Sequence, residues 1–348
     1  MEVNENCVFQ GTMHSIYCKL HIPKLFQYAD QGHWDKIPKR IQHLQGKHQW
    51  GERGQTSNNK TLEKEILFRH KYAPADTALH RLVRPMNIPC GLLSAHDALD
   101  SVTVSNNNNN NILDIETDPI AQQWLSEAVH AIVTACPRIV FVQDVFGRTP
   151  LHLACTYPFV LSQNDDTAAA ALKSAGNHRA ELALLLLITS DTVAPDQRPS
   201  TTVSVASAVT DGSSLHDDKE SQAETVDTSR DLAAIVDHEK KTALHCVMEH
   251  VCCLDRGPSK DVVIEANTNA SFSSSFVVGS PVLRLVQVLV RRDPTALTFQ
   301  NSRGETVMDV IDRRSRESGT SAGAWKHLLK QAEQECQNEN GPNATFTR

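Results

Sequence analysis

The chain has 348 residues, 40% hydrophobic and 22% charged, with a formal net charge of -7, and its aromatic content of 5% calls for an aliphatic core. Residues 191–230 hold eight Asp or Glu against three basic residues, a balance of -5, so the rest is nearly neutral and excludes an electrostatic footprint for nucleic acid. Nine cysteines without paired spacing, among them Cys136, Cys155 and Cys246 inside apolar runs, exclude a disulfide framework and imply a reducing compartment, cytoplasmic or nuclear.

No basic region followed by an apolar stretch opens the sequence, so no secretory leader is expected. The most apolar run, Leu182 to Ile188, falls far short of the ~18 residues of a membrane span.

In chain order, the first clear signal is Asp76-Thr77-Ala78-Leu79-His80. Next, Ile120, Trp124, Leu125, Ala128, Val129, Ile132 and Val133 fall at three- and four-residue spacing, which predicts a helix with an apolar stripe. A turn at Val145 to Arg148 follows, and then Thr149-Pro150-Leu151-His152-Leu153-Ala154, where Thr149 is placed to cap a helix and Pro150 sits where a missing amide hydrogen does no harm. The runs Ala180 to Ile188 and Val282 to Val290 predict helices covered on two sides. Between and after them the turn-and-threonine pattern returns at Asp237 to His245 and at Asn301 to Asp309.

The repeated Thr, apolar residue and, in three copies of four, His mark a stack of small helical units rather than an enclosed globule. One unit of about 33 residues loses on the order of 1–2 kcal/mol of backbone freedom per residue, more than its few buried aliphatic side chains return, so units must stack to be stable.

These residues resemble ankyrin repeats, most closely from Asp144 to Ala154. In the other copies Ala75 and Lys240 stand at the family's turn glycine, and the last carries Met308 and Asp309 in place of Leu and His. Upstream, Leu25 to Trp34 resembles the inner-helix end and Gly-His turn of a first unit without a hairpin. The resemblance implies an all-α solenoid of about five helix pairs with hairpin or turn tips. The units are expected near 23–45, 71–136, 143–190, 236–294 and 300–335, after an N-terminal arm, 1–22, and before a disordered tail, 336–348.

The four threonines are 72, 93 and 64 residues apart, whereas an uninterrupted array would show about 33. The excess is read as long disordered insertions at 85–118, 157–176, 191–230 and 256–279. The third has thirteen Ser or Thr beside its acidic groups, either an inert tether or a phosphorylation site.

Catalytic signatures are incomplete. Gly46 and Gly51 have the spacing of a phosphate loop, but Glu52-Arg53 follow in place of Lys-Ser/Thr. His238-Glu239 begins like a zinc-protease motif, yet Thr242 occupies the second ligand position. Two soft-ligand clusters remain, His245, Cys246, His250, Cys252 and Cys253, and Cys7, His14, Cys18 and His21. They support an alternative reading, a metal-dependent or hydrolytic enzyme, against which the resemblance already gives His245 a local role.

The preferred expectation is a non-enzymatic, intracellular, monomeric protein-interaction scaffold with no cofactor, no metal, no nucleic acid and no membrane. The resemblance places its partner, another protein or a peptide, on the concave face. The candidate contact residues are Val145, Phe146, Arg148, Thr156, Tyr157, His238, Glu239, Lys241, Ser302, Arg303 and Glu305, with Phe146 and Tyr157 expected to be the exposed aromatic anchors.

Overall fold

The computed structural model describes residues 22–46, 55–69, 75–85, 118–157, 159–160, 167–194, 231–252, 280–318 and 323–339. These are mostly helical. The helices are α1 (Lys24–Asp30), α2 (Lys36–Gly46), α3 (Gln55–Ile66), α4 (Ala78–Val83), α5 (Pro119–Ala135), α6 (Pro150–Ala154), α7 (Thr167–Asp191), α8 (Ala243–His250), α9 (Pro281–Arg292), α10 (Val307–Ser318) and α11 (Gly323–Glu339).

They form two rows. In one, α1, α4, α6, α8 and α10 touch in that order, and in the other α2, α5, α7, α9 and α11 do the same. Each member of the first row also packs on its partner in the second, α1 on α2, α4 on α5, and so on to α10 on α11. The core lies between the rows, where Leu79, Leu151, Leu186, Leu285 and Val310 are wholly buried. Each such side chain contributes about 1.5–3 kcal/mol that an isolated pair could not secure on both faces.

The short first-row helices start where local chemistry tells them to. Thr77 and Thr149 each accept a hydrogen bond from the backbone N–H three residues on, while the imidazoles of His80 and His152 reach back to the threonine N–H. Two orphan donors are thereby satisfied at once. Pro150 adds its fixed φ at the first helical position. α4 stops just before Pro85, whose ring disfavours a helical conformation in the residue ahead of it.

Several details differ from the sequence expectation. Of the α5 stripe, Leu125, Ala128, Val129, Ile132 and Val133 are buried, but Ile120 and Trp124 are 56% and 43% exposed, while Ala121, between them in the sequence, is buried and marks the inward face of the N-terminal part of the helix. Ile188 is likewise exposed on α7. That helix begins at Thr167, inside the segment expected to be an insertion from 157 to 176, and α11 extends to Glu339, past the expected start of the tail. Helix α3 was not foreseen, and it packs on α1 and α2. Its Leu62 and Ile66 enter the core, and Glu65 accepts from the Leu25 N–H and from Arg40.

A further departure from all-helical structure is a parallel pair of two-residue strands, β1 (Phe159–Val160) and β2 (Val251–Cys252), following α6 and α8. The N-terminal arm to residue 21, and most of the insertions expected at 85–118, 191–230 and 256–279, lie outside the described residues. Among the described residues no helix is long and apolar enough to cross a membrane.

Candidate functional site

Three turns precede α6, α8 and α10, and one design builds them all. Asp144 Oδ1 accepts from the N–H groups of Phe146 and Arg148 at 2.8 and 2.9 Å. Asp237 does the same for Glu239 and Lys241, and Asn301 for Arg303 and Glu305. A short side chain with an oxygen acceptor thus braces its own turn, which is why Asp or Asn opens each one. All three are buried.

The turns are also joined to each other. The His238 N–H donates to the Phe146 carbonyl at 2.9 Å, and the Ser302 N–H donates to the Glu239 carbonyl at 2.8 Å. Position 147 requires glycine for two reasons: its φ is +74°, and a Cβ there would lie 2.7 Å from His238 Cδ2. The corresponding residues of other turns are Gly304 at φ 73°, Lys240 at 55° and Ala75 at 54°.

Histidines fasten the turns to the helices behind them. His80 Nε2 lies 3.1 Å from the Arg148 carbonyl, and His152 Nε2 lies 3.1 Å from the Lys241 carbonyl. Because Nδ1 of each ring accepts from a threonine N–H, the single ring proton must sit on Nε2 and be donated to that carbonyl. Burial keeps both rings neutral, lowering His80 from 6.5 to about 4 and His152 in the same direction. His245 repeats the bonds to Thr242. Its Nε2 has no partner at bonding geometry, although burial lowers its pKa against the pull of the Glu305 and Phe299 carbonyls.

The candidate contact residues differ in exposure and in how far their side chains are already engaged. Val145 and Phe146 are 50% and 51% exposed on the first tip. His238, Glu239, Ser302 and Arg303 are exposed on the next two. Arg148 is held by Asp144 at 2.8 Å, and its guanidinium stacks 4.6 Å from the centre of the Phe146 ring. Thr156 is half-buried and donates its hydroxyl to the Leu153 carbonyl.

Tyr157 corrects the sequence expectation. It is 2% exposed and packs edge-on to Phe159, with the buried guanidinium of Arg179 5.7 Å from its ring centre. Arg179 also donates to the Leu82 carbonyl at 3.2 Å. The strand β1 draws Tyr157 inward after α6, so this aromatic is core and offers no contact surface.

The sequence reading missed a chain of ion pairs behind the second and third tips. Lys241 Nζ lies 2.6 Å from Glu239 and 3.0 Å from Glu249, and Arg313 reaches Glu249, Glu305 and Glu317. Burial alone would lower the Lys241 pKa, but Glu239 and Glu249 outweigh it and the pKa is raised. Hydrogen bonding from Lys241 holds Glu239 below its ordinary value. Residues 241 and 249 share one unit, and the packing of α10 on α8 brings Arg313 to them.

Chemistry elsewhere is muted. Burial pushes the thiols of Cys155 and Cys246 well above their ordinary value, so neither supplies a thiolate nucleophile at neutral pH. Among the described residues no three His, Cys, Asp or Glu converge as metal ligands. Cys7, His14, Cys18, His21 and Cys253 fall outside the described residues.

Between α5 and α7 an open cleft of about 410 Å³ is lined by Gln122, Lys173, Ser174, Asn177, His178 and Glu181. Beside it Ser126 Oγ lies 2.7 Å from His178 Nε2. Burial, reinforced by Arg179, lowers His178 to about 4, which makes it a weak general base at neutral pH. No family model, no curated protein and no solved structure matches the chain.

Proposed function

We propose that this chain is a non-enzymatic interaction scaffold built as an ankyrin-type solenoid, and that it holds a protein or peptide partner on the face formed by its tips and first-row helices. The observation that carries this reading is the half-exposed Val145–Phe146 pair. It sits on a turn whose backbone is fixed by Asp144, by Gly147 and by its bond to His238. A rigid apolar pair in water gives a partner area to bury without an ordering cost, as interface anchors do.

The solenoid reading is supported by the repetition of one linkage. In successive units a histidine bonds its own threonine and the backbone of the next turn. Low His178 basicity and elevated thiol pKa values argue in the same direction, toward recognition rather than reaction.

Affinity capture with the full chain and with Phe146→Ala, both checked for equal thermal melts, tests the reading. Partners retained by the parent and lost by the variant are expected. Identical partner sets would remove this surface from the function.

A further inference from the structure

We propose that the tip surface docks an extended acidic peptide with one aromatic or large aliphatic anchor, the anchor resting on Val145 and Phe146 and its carboxylates meeting Lys240 and Arg303. This deepens the scaffold reading and rests on it.

The tip charges favour such a peptide. Of the four tip carboxylates, Asp144 is paired by Arg148, Glu239 by Lys241 and Glu305 by Arg313, while Asp237 is buried and its oxygen accepts from the N–H groups of its own turn. Lys240 and Arg303 are exposed, and among the described residues neither side chain forms an ion pair. The surface therefore offers two exposed cations outside any ion pair beside an apolar pair, although the Arg303 charge already helps to hold Glu239 and Glu305 below their ordinary values, and this suits a partner of opposite sign. Two cations, each next to a glutamate, are few for a polyphosphate chain, so a peptide is favoured over nucleic acid.

Backbone strain points the same way. Lys240 holds φ 55° and Ala75 54° at the place where Gly147 and Gly304 hold 74° and 73°, and of the two non-glycines only Lys240 carries a charge. A side chain there is costly where glycine would not be, and strain of this kind clusters at functional positions.

Geometry supplies the register. The bonds from His238 to Phe146 and from Ser302 to Glu239 seat the tips side by side, at the spacing of packed helices, about 8–10 Å. An extended peptide advances about 3.3 Å per residue. Its carboxylates should therefore fall roughly three and six residues from the anchor.

The test uses the full chain and fluorescence anisotropy with a labelled synthetic peptide of that pattern, phenylalanine as anchor and two glutamates at about three-residue steps. The comparison probes are the same peptide with glutamines in place of glutamates, and a uridine oligonucleotide. The glutamate peptide should bind and the glutamine peptide should bind more weakly. Lys240→Gly and Arg303→Gln should each weaken binding about two- to fivefold, and Phe146→Ser about tenfold or more.

Lys240→Gly relieves strain, so its loss of binding cannot be attributed to unfolding, and a thermal melt confirms this. Equal binding of both peptides, an unchanged Lys240→Gly, no binding of the glutamate peptide, or tighter binding of the oligonucleotide would each overturn the acidic-peptide inference. If Phe146→Ala nevertheless abolishes capture of partners, the scaffold reading stands without it. If that capture is also unchanged, both fall.

Discussion

His152 donates its Nε2–H to the Lys241 carbonyl, 3.1 Å away and 89 residues further along the chain. The same ring accepts from Thr149, so one side chain caps α6 and holds the next tip. Replacing it orphans buried groups at both ends. His152→Ala is expected to cost about 2–4 kcal/mol in urea unfolding. His245→Ala should cost less, because its Nε2 makes no such bond. Equal losses would show that the inter-unit bond contributes nothing.

Stability should fall with acid. Burial holds His80, His178 and His250 at about 4, below the ordinary 6.5, and lowers His152 and His245 as well. A folded value below the unfolded one means the fold favours the neutral ring. The stability it contributes is complete above pH 6.5 and is lost as pH falls through about 4. Asp76, raised by burial despite Arg84 and Arg81, runs the other way, but as a single group. Melting temperatures should hold level from pH 7.5 to about 6.5 and decline from there to pH 4, and a profile that stays flat or rises below pH 6.5 would contradict the neutral rings.

The left-handed positions give opposite outcomes. Lys240→Gly should stabilise by about 0.5–1 kcal/mol, the strain relieved less the entropy glycine returns to the unfolded chain. Gly147→Ala adds both a positive-φ penalty and a contact with His238 at 2.7 Å, and should destabilise by about 2–4 kcal/mol. Chemical denaturation of the two variants checks both signs.

Two aromatics, alike in sequence, should behave differently. Tyr157→Ala empties a site enclosed by Phe159 and Arg179 and should cost about 3–5 kcal/mol. Phe146→Ala removes a half-exposed ring and should change stability by less than about 1 kcal/mol. Differential scanning calorimetry separates them, and a severe loss for Phe146→Ala would mean that the tip is structural.

What could be read from the sequence was what is local. The Thr149-Pro150-Leu151-His152 run encodes its own cap, so the start of α6 followed from four residues. The exposed Phe146 followed from its place in a turn. Tyr157 was misjudged because its burial depends on Arg179 and on β1 pairing with β2 across the stack. Helix α3 was missed because its 12 residues hold just two apolar ones, Leu62 and Ile66, too few for a periodic signal. The ion pairs joining Lys241, Glu249 and Arg313 needed two helices to be set beside one another before their charges had meaning.

The central claim is that partners meet the tip face and not the second-row helices. A photo-crosslinking amino acid placed at Phe146, and in a parallel protein at the exposed Trp124 of α5, tests it within the intact chain. Adducts with a partner should form from position 146 and be absent from position 124. Adducts from 124 with none from 146 would contradict the account.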